Sequence, residues 1–198
     1  IKDGVRLSLA QGIKFKHNDT SDLSNKLSKY TQNTVFVVIE SLYSMDGDFA
    51  PLQEFQKVCK THNAYLIVDE AHSGGTFGKD GSGFCAEINI KPYLKIITFG
   101  KGFGAHGACV VGDGTTVDFL VNYSRPFIYT TALSAANTDL TLQQLKRTDF
   151  KVQQDRLQTI IAYFNDKFSG FTIESDPKSP IKSIVYKNRA QLKSLETD

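Results

Sequence analysis

The sequence predicts an α/β fold built on a mostly parallel sheet, and three short stretches carry that prediction. Val35 to Glu40 (VFVVIE) and Tyr65 to Glu70 (YLIVDE) are brief, β-branched runs that are apolar on both faces. Strands of a parallel sheet covered by helices have this pattern. Between them PLQEFQKVCKTH sets Leu52, Phe55, Val58 and Cys59 on one helical face, with Pro51 at the first helical position and Asn63 at the far end. The three stretches form a strand, helix, strand unit.

The remaining elements extend this unit in both directions. Ser21 to Tyr30 has helical spacing at Leu23 and Leu27, so a helix precedes the first strand. After the second strand, KIITFG (95–100), ACVVG (108–112) and FIYTT (127–131) read as three further strands separated by glycine-rich turns. Beyond Ala135 the spacing of Leu140, Leu145, Val152, Leu157, Ile160 and Phe164, with no glycine until Gly170, predicts one long helical stretch. FTIES and IKSIVY then read as two strands around Asp176-Pro177, followed by a half-started helix. The expected division is residues 1–135 as one α/β unit, and 136–198 as a long connecting helix with the first piece of a small, incomplete second domain.

Composition narrows the function. With 40% hydrophobic and 22% charged residues the chain can bury a core. Lys plus Arg number 23 against 21 acids, a net +2, and they form no basic run, which removes a general nucleic-acid binder. No run approaches the roughly 18 apolar residues of a membrane span, and Ile1 to Gln11 lacks a signal-peptide pattern, so a soluble protein without a membrane partner is expected. Cys59, Cys85 and Cys109 are odd in number and widely spaced, which argues against a disulfide framework or a structural zinc and for a reducing, cytoplasmic setting. No metal is expected. Two glycosylation-like triplets, at Asn18 and Asn122, are too common by chance to count.

Asp69-Glu70-Ala71-His72 follows directly on an apolar strand, placing a carboxylate at the carboxyl edge of a parallel sheet, where α/β proteins bind ligands. The same letters spell a nucleotide triphosphatase box, but no Gly-x-x-x-x-Gly-Lys-Ser/Thr loop precedes them. Gly102 to Gly107 spells a dinucleotide fingerprint, yet a strand, not a helix, follows it, and Asn122 stands where the ribose-binding acid belongs. Lys101 ends another apolar strand, wrapped by Gly100, Gly102 and Gly104, 32 positions after Asp69. An amine fixed at the end of one sheet strand and an acid at the end of another suit a Schiff-base lysine with a pyridinium partner. His106 reads as structural, His17 and His62 as surface residues, and Asp46 and Asp48 as parts of a tight turn.

Four motifs then carry a resemblance: Ser44-Met45-Asp46-Gly47-Asp48-x-Ala50-Pro51-Leu52, Val68-Asp69-Glu70-Ala71-His72-Ser73, Thr98-Phe99-Gly100-Lys101-x-x-Gly104-x-His106-Gly107, and Arg125 to Leu133 (RPFIYTTAL). In order and spacing they resemble the α-oxoamine synthases, pyridoxal 5'-phosphate enzymes that condense an amino acid with an acyl thioester and lose carbon dioxide. The resemblance implies a three-layer large domain of the aspartate-aminotransferase type. It also implies that Lys101 binds the cofactor and moves the substrate α-proton, and that Asp69 pairs with the ring nitrogen. His72 and Ser44 would flank the ring hydroxyl, Thr98 would hold the phosphate, and Thr130 and Thr131 would reach the phosphate of a neighbouring subunit, so a homodimer with a shared site is implied. The wording is most similar to members that join L-alanine to a pimeloyl thioester on the route to biotin, with coenzyme A or a carrier protein as the thiol. Members that acetylate glycine or join serine to a palmitoyl thioester are the alternatives.

Gly74-Gly75, Gly102-Phe103 and Ser134 depart from the family's usual residues and bear on substrate fit more than on the cofactor. Family members are considerably longer and carry upstream a ring-stacking histidine and a phosphate loop. The expectation is therefore a fragment that alone binds cofactor weakly and turns over poorly. A non-catalytic binding or dimerising module is the alternative of a different class, and the trio Asp69, His72 and Lys101 argues against it.

Overall fold

A computed structural model describes residues 1–147 and 149–184. In chain order the elements are α1 (Lys2–Leu7), α2 (Thr20–Leu27), β1 (Phe36–Glu40), α3 (Leu52–Thr61), β2 (Tyr65–Asp69), α4 (Phe84–Glu87), β3 (Leu94–Thr98), β4 (Ala108–Val111), α5 (Gly114–Tyr123), α6 (Arg125–Ile128), α7 (Ala135–Leu145) and α8 (Phe150–Lys167). The sheet runs β1-β2-β3-β4, with the first three strands parallel and β4 antiparallel at the edge. In register Glu40 lies opposite Asp69, and Asp69 opposite Ile96, so the carboxyl ends of the parallel strands share one edge.

The crossover from β1 to β2 is α3. It starts after Pro51, and Asn63 closes the chain behind it at φ +52°. Leu52, Phe55 and Cys59 are buried by α3 on the sheet face presented by Val37, Ile39, Leu66 and Val68. Asp19 caps α2 by accepting the Asp22 amide at 2.8 Å, and Leu23 and Leu27 join the same core. The opposite face is less covered than expected, since Val38 and Ile67 remain half-buried. A smaller cluster of Ile97, Phe99, Phe103 and Phe150 sits beside β3, with Ile97 on the same sheet face as Val68, which pairs with Lys95. No helix among the described residues is long and apolar enough to cross a membrane.

Two expectations require correction. The segment 127–131 is not a strand: its first residues belong to α6. Pro126, whose fixed φ suits a first helical turn, follows Ser124, whose carbonyl accepts the Phe127 and Ile128 amides at 3.0 and 2.9 Å. Local carbonyls thus take the amides that a strand would offer to a neighbour, and Arg125 covers the Tyr129 ring at 5.0 Å. The long stretch after Ala135 is likewise two helices, α7 and α8, separated near a forked Arg147–Asp149 pair with bonds of 2.8 and 2.6 Å. The break lets Phe150 turn into the second cluster, its ring 5.9 Å from that of Phe103, a direction one straight helix would not allow. Ser134 caps α7 by accepting the Asn137 amide at 3.2 Å.

The histidines expected on the surface are tethered. His17 Nε2 lies 2.8 Å from Asp48 Oδ2, and His62 Nε2 lies 2.8 Å from Ser24 Oγ, tying the end of α3 to α2. At the C-terminal side, Ile173 and Ile184 form one isolated bridge, and the Asp176 amide donates to the Gly47 carbonyl at 3.1 Å. The end of IKSIVY and the half-started helix lie outside the described residues.

Candidate active site

The candidate site is built by two loops that leave the common sheet edge. One follows Asp69 at the end of β2, the other follows Thr98 at the end of β3. Each contains glycine where the loops meet. Gly75 has φ +81°, and a Cβ there would lie 2.6 Å from the Gly102 carbonyl carbon. Only a residue without a side chain allows this approach, so the Gly74-Gly75 departure has a structural cause. The contact brings Lys101 Nζ to 2.8 Å from His72 Nε2, joining residues 29 positions apart.

Burial, and then the Lys101 ammonium, lower the proton affinity of His72 below its ordinary value, while Glu40 and Asp69 oppose that shift. At neutral pH the ring is therefore uncharged, and Nε2 accepts from the Lys101 amine. Asp69 is half-buried and accepts the Ala71 amide on Oδ1 at 2.9 Å. Thr98 donates its hydroxyl to the Ala71 carbonyl at 3.4 Å. Ser44 is exposed, and its amide donates to Glu40 Oε2 at 3.3 Å.

The structure thus brings Asp69, His72, Thr98 and Lys101 together and leaves Ser44 near the same edge through Glu40. It does not bring Thr130 and Thr131 to them: both are exposed, and the Thr130 hydroxyl donates to the Pro126 carbonyl of the preceding α6. His106 has a structural part, its carbonyl accepting the Thr141 hydroxyl at 3.2 Å. Sequence reasoning missed Glu40, Glu70 and Gly75. The signal for Glu40 was present, because VFVVIE ends in an acid as YLIVDE does. Glu70 gave none: beside Asp69 it reads as a solvated companion, yet it is 0% exposed.

Comparison with known proteins places the chain in a family. Residues 1–184 match the family model described as aminotransferase class I and II. The chain is 36% identical over 165 residues to an 8-amino-7-oxononanoate synthase of Salmonella paratyphi C, covering 82% of this chain and 43% of that protein. A serine palmitoyltransferase from S. paucimobilis with a bound PLP-myriocin adduct superposes with TM-score 0.87 at 28% identity, over 96% of this chain and 51% of that one. The 8-amino-7-oxononanoate synthase of Francisella tularensis superposes with TM-score 0.80 at 31% identity, over 99% of this chain and 60% of that one. The chain spans about half the length of the curated relatives it matches. With a family match over nearly its whole length, the chain belongs to the aminotransferase class I and II family, among the α-oxoamine synthases.

Proposed function

We propose that the chain supplies the lysine-bearing part of a pyridoxal-phosphate site for the decarboxylative condensation of an amino acid with an acyl thioester. The single observation that carries this reading is the Lys101–His72 contact of 2.8 Å at the edge where Asp69 ends β2. The donor set fits the cofactor. Lys101 offers an exposed amine, Asp69 keeps Oδ2 without a hydrogen bond among the described residues, and Ser44 and Thr98 offer hydroxyls at the same edge. When bound, the cofactor would supply a ring that accepts the electrons left on the substrate α-carbon.

The chain's own residues then divide the work. Lys101 would hold the cofactor through its amine, and as a free amine would take the substrate α-proton on Nζ. Neutral His72, accepting from that amine, orients it, and His72 and Ser44 would hold the cofactor's hydroxyl side. Asp69 would keep a proton on the cofactor's ring nitrogen by its charge. Thr98 supports the phosphate.

L-Alanine with a pimeloyl thioester, giving 8-amino-7-oxononanoate for biotin synthesis in the cytoplasm, is the substrate pair favoured by the 36% identity. Serine with a palmitoyl thioester is the second reading, favoured by the structural likeness to serine palmitoyltransferases at TM-score 0.87. Residues 1–135 belong to the cofactor-binding large domain and 136–198 to the connection and small domain, with Thr130 and Thr131 serving a partner's site in a homodimer.

Incubation with pyridoxal phosphate, borohydride reduction and peptide mapping test the cofactor. A pyridoxyl mass on the peptide holding Lys101, absent in Lys101→Ala, is expected; a parent protein without it refutes the proposal. Pairing alanine, glycine and serine with pimeloyl, acetyl and palmitoyl thioesters separates the substrate readings.

A further inference from the structure

Glu70 is fully buried directly behind the candidate site, at 0% exposure between Asp69 and His72. Its backbone crosses to β3, the amide donating to the Ile96 carbonyl at 2.8 Å, and its own carbonyl accepts the Gly74 amide at 2.8 Å. The carboxylate points inward. Oε1 accepts the Cys85 amide at 2.8 Å and the Ser73 hydroxyl at 3.2 Å, and Ser73 Oγ lies 2.7 Å from Ser41 Oγ just after β1. Among the described residues Oε2 has no hydrogen-bond partner, and Lys95 Nζ stands 3.7 Å from it. Gly83, at φ +93°, lends space, for a Cβ there would lie 2.5 Å from Oε2.

Three segments therefore meet on one carboxylate, the turn after β2, β3 and the start of α4, and Ser73 relays the contact to Ser41 after β1. Burying a carboxylate is costly, and an apolar residue would fill such a space at lower cost. What an apolar residue could not do is accept from an amide and a hydroxyl while facing an ammonium.

We propose that Glu70 is a positioning residue that fixes the turn carrying Asp69 and His72, and so sets His72 against Lys101. Its consequence for cofactor binding rests on the function proposed above; its consequence for His72 does not.

The test follows the His72 ring by NMR in the full, cofactor-free chain, assigned by its loss in His72→Gln, as pH is varied. Lys101, Glu40 and Asp69 are the charged groups that act on this ring. In Glu70→Gln the new amide faces the Lys95 ammonium, the turn loosens, and the His72 midpoint rises as its burial and its Lys101 contact diminish. Loss of the Glu70 charge alone would move it down, so the sign separates displacement from a charge effect. Glu70→Gln with Lys95→Met removes the clash of amide and ammonium and returns the midpoint toward the parent value. A lost lysine charge alone would not lower it. An unchanged or lowered midpoint in folded Glu70→Gln, or no return in the double variant, overturns the proposal. Should Glu70→Gln fail to fold, Ser73→Ala removes one carboxylate partner: a rise is expected, and no rise overturns the proposal. Borohydride trapping at Lys101 in the parent is run beside these titrations. If trapping fails while the His72 shifts appear, the cofactor reading falls and the positioning role stands.

Discussion

Gly75→Ala probes the joint on which the candidate site depends. At φ +81° an L residue is strained by roughly 1–2 kcal/mol. The added methyl would also stand 2.6 Å from the Gly102 carbonyl carbon and 2.8 Å from its oxygen, backbone atoms that cannot rotate away. Overpacking of this kind costs about 1–3 kcal/mol, giving a total of about 2–5 kcal/mol. For a chain of this size each kcal/mol lowers Tm by about 2–4 °C, so a fall of roughly 4–20 °C is expected. Gly104→Ala is the matched control. Its φ is +61°, but nothing lies within 4 Å of the added methyl, so only the backbone strain of about 1–2 kcal/mol applies. Thermal unfolding followed by circular dichroism measures both. Equal losses in the two variants would refute the reasoning, because they would show that the loops do not meet backbone to backbone at Gly75.

His72 supplies a pH dependence with a definite sign. Its proton affinity is lowered in the folded chain, chiefly by burial, so the unfolded chain binds more protons as pH falls below the ordinary value of 6.5. The stability associated with the neutral ring is full above 6.5 and is lost as pH falls toward the depressed folded value; His72→Gln flattens Tm against pH over that interval, and an unchanged slope would contradict the placement. The thiols form a third check. Burial pushes Cys59 up to about 11 and raises Cys85 and Cys109 as well, with Cys109 the least buried of the three. At pH 8 an aromatic disulfide reagent should modify Cys109 slowly and leave Cys59 and Cys85 untouched until denaturant is added. Rapid release of two equivalents from the folded chain would count against this core.

The parallel strands were legible because their signals are local: a short β-branched run bounded by turns reads the same in isolation as in the sheet. The placement of Asp69, His72 and Lys101 near one sheet edge was legible because each lies at or just after the end of such a run, and strand ends gather at one edge of a parallel sheet. Thr130 and Thr131 show where that logic stops, since RPFIYTT has aromatic and β-branched residues suited to a strand, yet Pro126 and the Ser124 carbonyl wind its start into a helix.

By itself the sequence determined the α/β class, the strand–helix–strand core around Leu52 and Phe55, and the identity of the amine and the acid at the sheet edge. Periodicity and strand ends are properties of neighbours in the chain. Only the tertiary structure decided that Gly75 and Gly102 meet, that Lys101 therefore reaches His72, that the helix after Ala135 breaks so that Phe150 can enter a core, and that Glu70 points inward while Asp69 stays half-exposed. Each of these depends on atoms distant in sequence competing for the same space, and no local pattern contains that competition.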